Sequence, residues 1–436
     1  MGYKQILLRK LAAREAQVAV VGLGYVGLPL AVEFAESGFR VIGLDVDAQK
    51  VRKINAGESY IDDVAGERVR ALVAGRRFSA TDCYEDLRQV DAISICVPTP
   101  LRKTRDPDMS YIVQAADSIA EIRHPGMLIV LESTTYPGTT EEIILPAIVG
   151  EDLAIGDDIF IAYSPERIDP GNTDYSVSNT PKVVGGITAD CTEVAKALYQ
   201  AAVDEIIAVS SPTAAEMVKL LENTFRAVNI GLVNEMALMC DKLDIDVWEV
   251  IQAAASKPFG YMPFYPGPGL GGHCIPVDPH YLSWKLKTLN YNARFIELAS
   301  EINTSMPYYV VDKITEALNN QALSVRGSRI LILGVAYKRN VDDVRESPAL
   351  DIISLLRQRG AEVDYHDPHV PQIQLESDIR MRSKPYCASL LQEADCVVIV
   401  TDHCGYDWDE IARISRCIVD TRHVYSDRNS GNVISL

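Results

Sequence analysis

A glycine-rich stretch that leads to a cysteine carries the strongest chemical signal in the sequence. The segment 267–279 reads GPGLGGHCIPVDP, so Cys274 follows a run of closely spaced glycines and Asp278 comes shortly after it. Glycine lets a backbone approach a ligand closely and adopt positive φ angles. A thiolate on such a loop could attack a bound carbonyl carbon. The alternative is a tight turn beside a buried, inert cysteine, because free cysteine is among the most buried residue types.

A lysine and an asparagine form a second candidate pair. Residues 213–243 show helical periodicity, and Lys219 and Asn223 are spaced to share one face of that helix. Such a pair in a cleft can hold an oxygen that gains negative charge. The alternative is a solvated helix surface, the usual environment of lysine. Because the segment 218–221 is otherwise apolar, the sequence favours the cleft.

This helix is long enough to suggest a role beyond one domain. At 1.5 Å per residue it would extend about 45 Å, so we expect it to connect two domains and to offer its apolar face to a partner subunit. The alternative is a long helix within one domain. Thr213 with Glu216 matches a capping box, although Ser211, before Pro212, could be the N-cap instead.

The N-terminal part contains a dinucleotide-binding fingerprint. The pattern GxGxxG follows an apolar strand at 18–21 and opens a helix at 28–37, as this fingerprint requires. Asp45 ends the next strand, where a carboxylate accepts hydrogen bonds from ribose hydroxyls and repels a 2′-phosphate. The sequence therefore predicts NAD rather than NADP; the alternative is a glycine turn in a flavodoxin-like domain. The expected cofactor loop is Gly22, Leu23, Gly24, Tyr25, Val26 and Gly27.

Other polar residues follow apolar strands, at the edge where α/β sheets bind ligands. They include the loop 133–140, Glu166 and Arg167 in the sequence YSPER, and Lys338 and Arg345 in the sequence GVAYKRNVDDVRES. Lys338 or Arg345 could neutralise a phosphate. The alternatives are a simple pair between Glu166 and Arg167, and ordinary surface charge for the other two.

Composition limits the classes of function. The chain has 436 residues, more than a single hydrophobic core usually supports, so more than one domain is expected. Its net charge of −18 argues against a nucleic-acid or anionic-membrane partner. Its nine cysteines lack paired spacing, which favours a reducing compartment. No metal site is expected, because a turn explains His366 and His369. The apolar segment 18–35 is interrupted by glycines, a proline and Glu33, so we expect a cytoplasmic protein without a membrane span.

Strand and helix patterns predict an α/β fold with two Rossmann-like, doubly wound domains joined by the long central helix. We expect a domain at 1–210, a helical domain at 211–310 and a second α/β domain at 311–436. The first 15 residues fit either a short charged helix or a loose tail. The expected strands lie at 18–21, 40–44, 92–97, 128–132, 159–163, 329–333, 362–366, 397–401 and 417–420.

Taken together, these motifs resemble the UDP-glucose/GDP-mannose dehydrogenase family over nearly the whole chain. The matching segments are GLGYVGLP, VPTP at 97–100, ESTTYPGTT, SPER, the helix with Lys219 and Asn223, PGPGLGGHCIPVDP and GVAYKRNVDDVRES. The resemblance implies an NAD domain, a central helix that forms a homodimer or a larger oligomer, and a C-terminal domain that binds the nucleotide of a UDP-sugar.

The resemblance also implies a reaction in which two hydrides leave C6 of the sugar in succession. Cys274 would add to the intermediate aldehyde, and the resulting thiohemiacetal would be oxidised to a thioester that water hydrolyses. Lys219 and Asn223 match the residues that hold the developing oxyanion. Asp278 would place or activate water, together with Lys219. The group that takes the first proton stays open.

The remaining site residues also follow from the resemblance. Glu166 matches the glutamate of thioester hydrolysis, and Thr134 matches a residue near the nicotinamide. Thr99, Thr134 and Arg345 join the expected NAD contacts. The implied substrate contacts are Glu166, Arg167, Lys219, Asn223, Tyr265, Gly267, Gly269, Gly271 and Lys338. The partner-subunit arginine common in the family cannot be assigned, because the loop 257–264 differs between subgroups.

Within the family, AGESYI, SPER with DPGN, and FYPGPGLGGHCIPVDP look most like members that oxidise UDP-N-acetylglucosamine. UDP-glucose, UDP-N-acetylgalactosamine and UDP-N-acetylmannosamine are the alternatives. Two other classes of protein share part of this pattern. A β-hydroxyacid or 6-phosphogluconate type dehydrogenase transfers one hydride and needs no cysteine. A nucleotide-sugar or NAD sensor would have no reason to keep Cys274, Lys219, Asn223, Asp278 and Glu166 together.

Overall fold

The computed structural model describes residues 2–61, 63–102, 106–167, 174–272, 274–375, 379–426 and 431–436. Its contacts divide the chain into two compact units. The first contains the residues up to Glu222 together with His280–Tyr291, and the second contains Asn223–Pro279 and Asn292–Leu436. Each unit is built around one main β-sheet.

The first unit has an eight-stranded sheet in the order β3-β2-β1-β4-β5-β6-β7-β8. Strands β1 to β6 pair in parallel, and β7 pairs antiparallel with β6. The order of the first six strands is that of dinucleotide-binding folds, so the expected α/β architecture is confirmed. The strands are β1 Gln17–Val21, β2 Arg40–Leu44, β3 Phe78–Thr81, β4 Ala92–Ile95, β5 Leu128–Leu131, β6 Phe160–Tyr163, β7 Lys182–Gly186 and β8 Ile206–Ala208.

Helices cover both faces of this sheet. Along β1, Val18 and Val20 join one buried cluster while Ala19 and Val21 join another, because alternate side chains of a strand point to opposite faces. The N-terminal residues form a helix rather than a loose tail. The helices are α1 Tyr3–Ala13, α2 Gly27–Glu36, α3 Ala48–Asn55, α4 Gly66–Ala74, α5 Ser110–Ile122, α6 Leu145–Val149, α7 Ala189–Tyr199 and α8 Pro212–Leu243, and α8 continues into the second unit.

The second unit has a parallel five-stranded sheet in the order β10-β9-β13-β14-β15, with a separate antiparallel pair β11-β12. Its strands are β9 Arg329–Leu333, β10 Glu362–His366, β11 Gln372–Gln374, β12 Arg380–Arg382, β13 Cys396–Ile399, β14 Ile418–Asp420 and β15 Val433–Ser435. The helices that follow α8 are α9 Val247–Ala255, α10 Asp278–Thr288, α11 Arg294–Asn319, α12 Pro348–Gln358, α13 Ala388–Glu393 and α14 Trp408–Ile414. In the described ranges, no helix has the length and apolar character needed to cross a membrane.

The start of α8 differs from the capping-box prediction. Ser211 Oγ accepts a hydrogen bond from Ala214 N at 3.1 Å, so Ser211 is the N-cap. Glu216 is fully buried, and its carboxylate instead accepts from Gly138 N at 2.5 Å and from Thr140 N at 2.9 Å. The capping box was wrong because this glutamate serves a tertiary contact.

The two units have the same type of hydrogen bond between a carboxylate and a loop backbone. Asp45, directly after β2, accepts a hydrogen bond from Leu23 N at 2.9 Å. Asp367, directly after β10, accepts from Val335 N at 2.7 Å and from Ala336 N at 3.0 Å. In both units a carboxylate after the second strand fixes the loop that follows the first strand.

Candidate functional site

The three glycines of the N-terminal loop serve different physical purposes. Gly22 has φ +92°, and a Cβ on it would lie 2.6 Å from Cys96 O. A Cβ on Gly27 would lie 1.8 Å from Gly22 O, whereas a Cβ on Gly24 would meet no atom within 4 Å. The first and third glycines are therefore required by packing, and the space beside Gly24 is open.

The carboxylate of Asp45 lies beside this loop, as the fingerprint predicts. It is buried, and it accepts hydrogen bonds from Leu23 N at 2.9 Å, Asp47 N at 2.9 Å and Lys50 Nζ at 3.1 Å. Tyr25 is exposed on the same loop. Lys50, a basic residue bound to the expected ribose acceptor, was not predicted from the sequence.

The loop after β4 is hydrogen-bonded to a side chain of α10. Thr99 O accepts a hydrogen bond from the hydroxyl of Tyr281, which is fully buried. One turn along α10, Trp284 packs on the ring of Tyr136 with 5.2 Å between centroids. These contacts connect the segment that follows Cys274 and Asp278 in sequence to two predicted cofactor loops of the first unit.

The loop after β5 is anchored on both sides of Thr134. Ser133 Oγ donates to Val97 O at 2.8 Å, and Thr135 is buried, while Thr134 itself is partly exposed. Further along, Thr140 Oγ1 donates to Glu216 at 2.7 Å. Burial is the main cause that raises the pKa of Glu216 above its ordinary value, and its hydrogen-bond donors oppose this rise.

Glu166 belongs to a buried network of charges. Its Oε1 accepts from Arg167 N at 2.7 Å, and its Oε2 lies 3.5 Å from Lys182 Nζ. The same ammonium lies 2.7 Å from Glu132 Oε2, and Tyr199 OH donates to Glu132 Oε1 at 2.5 Å. Lys182 belongs to none of the motifs recognised in the sequence, whereas Glu132 is the first residue of the matched segment ESTTYPGTT.

Arg167 is engaged with another residue of α8. Its Nε and Nη2 lie 3.0 and 2.7 Å from Glu222 Oε1, so the simple pair with Glu166 is not its main contact. Lys219 is 8% exposed and Asn223 is 3% exposed. A solvated helix surface is therefore excluded for both residues.

In the second unit, the structure brings Asn223, Asp278 and Cys274 together. The side-chain amide of Asn223 donates to Asp278 Oδ2, and Asp278 N donates to Cys274 O at 2.8 Å. Asp278 is the first residue of α10, so Cys274 lies just before a helix N-terminus. Cys274 is partly exposed, which excludes the buried, inert cysteine. His273, beside it, lies outside the described residues.

The glycine-rich loop before Cys274 is fixed by a chain of amides. Gly267 N donates to Asn234 Oδ1 at 3.0 Å, and Asn234 Nδ2 donates to Asn303 Oδ1 at 2.8 Å. Gly269 has φ +136°, and a Cβ on Gly271 would lie 2.7 Å from Tyr337 Cβ. Local geometry thus explains Gly269 and Gly271. Asn234 was not predicted from the sequence.

The remaining predicted ligand contacts of the second unit lie around the same loop. Tyr265 is exposed and stacks on Trp248, with 5.7 Å between ring centroids. Lys338, after β9, is partly exposed. Arg345 O accepts from Gly272 N at 3.0 Å, and its guanidinium binds Asp343.

One motif cannot be located. The DPGN segment, residues 169–172, lies outside the described residues. The predicted boundaries at 210 and 310 and the roles of the individual site residues stay predictions.

Comparisons with known proteins agree with this arrangement. Residues 16–203 match the NAD binding domain of the UDP-glucose/GDP-mannose dehydrogenase family, residues 213–305 its central domain and residues 331–427 its UDP binding domain. The chain is 35% identical over 419 residues to the UDP-N-acetyl-D-mannosamine dehydrogenase of Pyrococcus horikoshii, covering 94% of this chain and 96% of that protein.

A second relative carries a different name. The UDP-N-acetyl-D-glucosamine 6-dehydrogenase of Pseudomonas aeruginosa is 37% identical, with 82% of this chain and 84% of that protein covered. Among solved structures, a UDP-D-ManNAc dehydrogenase from Pyrococcus horikoshii superposes with a TM-score of 0.87 at 34% identity, covering 96% of this chain and 98% of that chain.

The fold and the matched domains define an NAD-dependent oxidoreductase that acts on nucleotide sugars. The chain belongs to the UDP-glucose/GDP-mannose dehydrogenase family.

Proposed function

We propose that the enzyme performs the four-electron oxidation of C6 of a UDP-N-acetylhexosamine, most specifically UDP-N-acetyl-D-glucosamine, with two molecules of NAD. The observation that carries this proposal is the placement of Cys274. The residue is partly exposed just before the N-terminus of α10, and Asp278, bound to both Asn223 and Cys274 O, follows in the same turn. A helix N-terminus favours the negative charge of a thiolate.

In the first oxidation the C6 alcohol would lose its hydride to bound NAD and its hydroxyl proton, in the end, to solvent, which would give an aldehyde. Lys219 and Asn223, buried on α8, stabilise the oxygen that becomes negative. Cys274 sulfur then bonds to the aldehyde carbon to form a thiohemiacetal. In the second oxidation the thiohemiacetal would lose its C6 hydride to a second NAD held by the loop 22–27 and its hydroxyl proton to solvent, which would give a thioester on Cys274.

Hydrolysis completes the reaction. The oxygen of water bonds to the thioester carbon, the C–S bond breaks with its electron pair going to sulfur, and a water proton passes to Glu166. Asp278 and Thr134 orient the water. Glu166 suits this role because its carboxylate is held in place by the Arg167 N–H at 2.7 Å and by Lys182 Nζ at 3.5 Å.

Binding of the two ligands is divided between the units in this proposal. The loop 22–27, Asp45 and Thr99 hold NAD, and the open space beside Gly24 suits a pyrophosphate. The residues Tyr265, Gly267 and Lys338 hold the nucleotide sugar, and Arg345 contributes to NAD binding. The exposed Tyr265 ring and the Lys338 ammonium suit a base and a phosphate.

The choice of sugar rests on the relatives and on the sequence form of the cysteine loop. Relatives named for UDP-N-acetyl-D-mannosamine and for UDP-N-acetyl-D-glucosamine are 35% and 37% identical to the chain. Both names describe a 2-acetamido sugar. UDP-N-acetyl-D-mannosamine is therefore the second candidate, and UDP-glucose and UDP-N-acetylgalactosamine follow.

A panel of UDP-sugars, monitored by NADH absorbance and product mass, tests the proposal. We expect two NADH per molecule of UDP-N-acetylglucosamine and a 6-carboxylate product. The variant Cys274→Ala should form no uronate while still binding the UDP-sugar. One NADH per substrate, or wild-type NADH production by Cys274→Ala, would overturn the thioester mechanism.

We also propose a cytoplasmic homodimer formed through α8. This helix exposes a stripe of large apolar side chains, and Leu232 is 54% exposed near its middle. Large exposed apolar patches mark interaction sites. Among the described residues no cysteine forms a disulfide, which suits a reducing compartment. The stripe consists of Met217, Leu221, Phe225, Leu232, Met239 and Leu243.

A further inference from the structure

Two buried polar residues of the second unit, Asp367 and His403, take part in no step of the proposed reaction. Asp367 directly follows β10, His403 lies shortly after β13, and the two residues are 3% and 0% exposed. Their side chains are joined, because His403 Nε2 lies 3.0 Å from Asp367 Oδ2. Buried polar groups are costly unless they are hydrogen-bonded, so the other partners of this pair indicate its purpose.

The carboxylate of Asp367 is surrounded by donors. Besides His403, its Oδ2 accepts hydrogen bonds from Val335 N at 2.7 Å and from Ala336 N at 3.0 Å. Its Oδ1 accepts from two backbone N–H groups of the segment 368–370. Burial would raise the pKa of Asp367, but the hydrogen bonds from His403 and Val335 N help to outweigh burial and lower it. These donors fill the roughly four acceptor positions of an ionised carboxylate, so Asp367 fixes the chain around it.

The hydrogen bonds of His403 define its tautomer. Its Nδ1 lies 2.9 Å from the backbone N–H of Asn340, which can only donate, so Nδ1 accepts this bond and carries no proton. The ring hydrogen is therefore on Nε2, which donates to the carboxylate of Asp367. His403 thus connects a carboxylate on one side to a backbone donor on the other, and it does so as a neutral ring.

The two anchored backbone positions lie on either side of Lys338. Ala336 N is bound by Asp367 and Asn340 N is bound by His403, so the chain is fixed just before and just after this lysine. A fixed backbone has less conformational entropy left to lose when a side chain binds a ligand. The buried pair therefore prepares the segment that carries Lys338.

We infer that His403 is a positioning residue for nucleotide-sugar binding, whose neutral ring links Asn340 to Asp367 and thereby preorganises Lys338 for the diphosphate. The inference rests on the proposed contact of Lys338 with the nucleotide sugar. The tautomer matters because a proton on Nδ1 would face the N–H of Asn340 and break that bond.

Two replacements of His403 separate its hydrogen bonds from its packing. His403→Phe keeps a ring of similar size but removes both hydrogen bonds, so the Kd for UDP should rise about tenfold. His403→Gln retains one donor and one acceptor, so it should restore the Kd to within about threefold of wild type. In His403→Phe the KM for the UDP-sugar should rise with the Kd, whereas kcat should change less than about twofold, because the loss is one of binding.

Calorimetric titration of the full chain with UDP measures the Kd, and steady-state NADH kinetics with UDP-N-acetylglucosamine separates KM from kcat. His124→Phe, the same replacement at a histidine of the first unit, is the matched control and should bind UDP like the wild type. Neutron diffraction locates the ring hydrogen of His403 directly. We expect this hydrogen on Nε2, and a hydrogen on Nδ1 would overturn the inference.

A double-substitution cycle tests whether His403 acts through Lys338. In a Lys338→Met background, His403→Phe should weaken UDP binding by less than about twofold further, because the side chain that it positions is already gone. A general loss of structure would weaken binding equally in both backgrounds, and that result would overturn the inference.

The outcomes separate the inference from the function on which it rests. Missing NADH formation by the wild type would overturn the proposed oxidation, while the UDP titration could still be read. Wild-type affinity in Lys338→Met would remove the proposed contact and the inference with it, whereas wild-type affinity in folded His403→Phe alone would overturn only the inference. If His403→Phe does not fold, His403→Asn decides, because its shorter side chain can accept from Asn340 N but not reach Asp367. An unchanged Kd for UDP in that variant would also overturn the inference.

Discussion

The side-chain amide of Asn223 on α8 donates a hydrogen bond to the carboxylate of Asp278 at the start of α10. The amide group of an asparagine can donate and accept, whereas an ionised carboxylate only accepts, so this contact fixes the orientation of the asparagine. The backbone N–H of Asp278 donates to Cys274 O at 2.8 Å. Asp278 therefore links Asn223, the candidate donor to the oxyanion, to Cys274, the residue that carries the thiol.

We predict that Asp278→Asn lowers kcat by about 100-fold, the magnitude typical for loss of one group that acts only in the transition state. The replacement keeps an oxygen that can accept from Asn223, so the fold should persist. Steady-state NADH kinetics and thermal unfolding measure the two effects. Asp244→Asn, an exposed position just after α8, is the control. A kcat within twofold of wild type would remove Asp278 from the mechanism.

The glycines of the NAD loop should respond differently to the same substitution. A Cβ on Gly27 would lie 1.8 Å from Gly22 O, so we predict that Gly27→Ala lowers the melting temperature by several degrees through a backbone shift. A Cβ on Gly24 meets nothing within 4 Å, so Gly24→Ala should melt like wild type but bind NAD about tenfold more weakly. Calorimetric titration with NAD, together with the melting temperature, distinguishes the two variants. If folded Gly24→Ala binds NAD as tightly as wild type, the pyrophosphate does not lie close to residue 24.

Local sequence patterns predicted the strands that carry the site. Arg40–Leu44, Arg329–Leu333 and Glu362–His366 have the same bounds in sequence and structure. The first two are mainly apolar and the third alternates exposed and buried residues, and all three are bounded by turn residues, so their limits can be recognised locally. The strand Ile206–Ala208 has only three residues, all apolar and none buried, so it gives no such pattern and was not predicted.

The partners of several buried charged residues could not be predicted, because they are far away in the sequence. Glu216 looked like part of a helix cap, but its carboxylate binds donors 76 and 78 positions earlier in the chain. Lys182 and Glu132 are 50 positions apart and belong to separate strand ends. Such pairs depend on sheet order, which neither periodicity nor spacing encodes.

The buried amide of Asn234 provides a third prediction. It is the acceptor for Gly267 N, so Asn234→Leu should leave that N–H without its partner and disturb the start of the cysteine loop. We expect the KM for the UDP-sugar to rise about tenfold, in line with loss of roughly 1.4 kcal/mol, while the KM for NAD stays unchanged. Asn229→Leu is the control, because the Asn229 side-chain amide donates to Phe225 O within α8. Equal increases in both KM values would contradict a specific effect on the loop.

The exposed stripe of α8 should be covered by a second copy of the chain. A charge buried at the centre of such an interface is unpaired and strongly unfavourable, so Leu232→Glu should convert a dimer to a monomer at micromolar concentration. Light scattering measures the mass, and thermal unfolding shows whether the monomer remains folded. Leu323→Glu places the same charge at an exposed leucine beyond α11 and should leave the mass unchanged. A Leu232→Glu variant that keeps the wild-type mass would show that α8 does not form the interface, because a glutamate cannot be accommodated where this leucine would be desolvated.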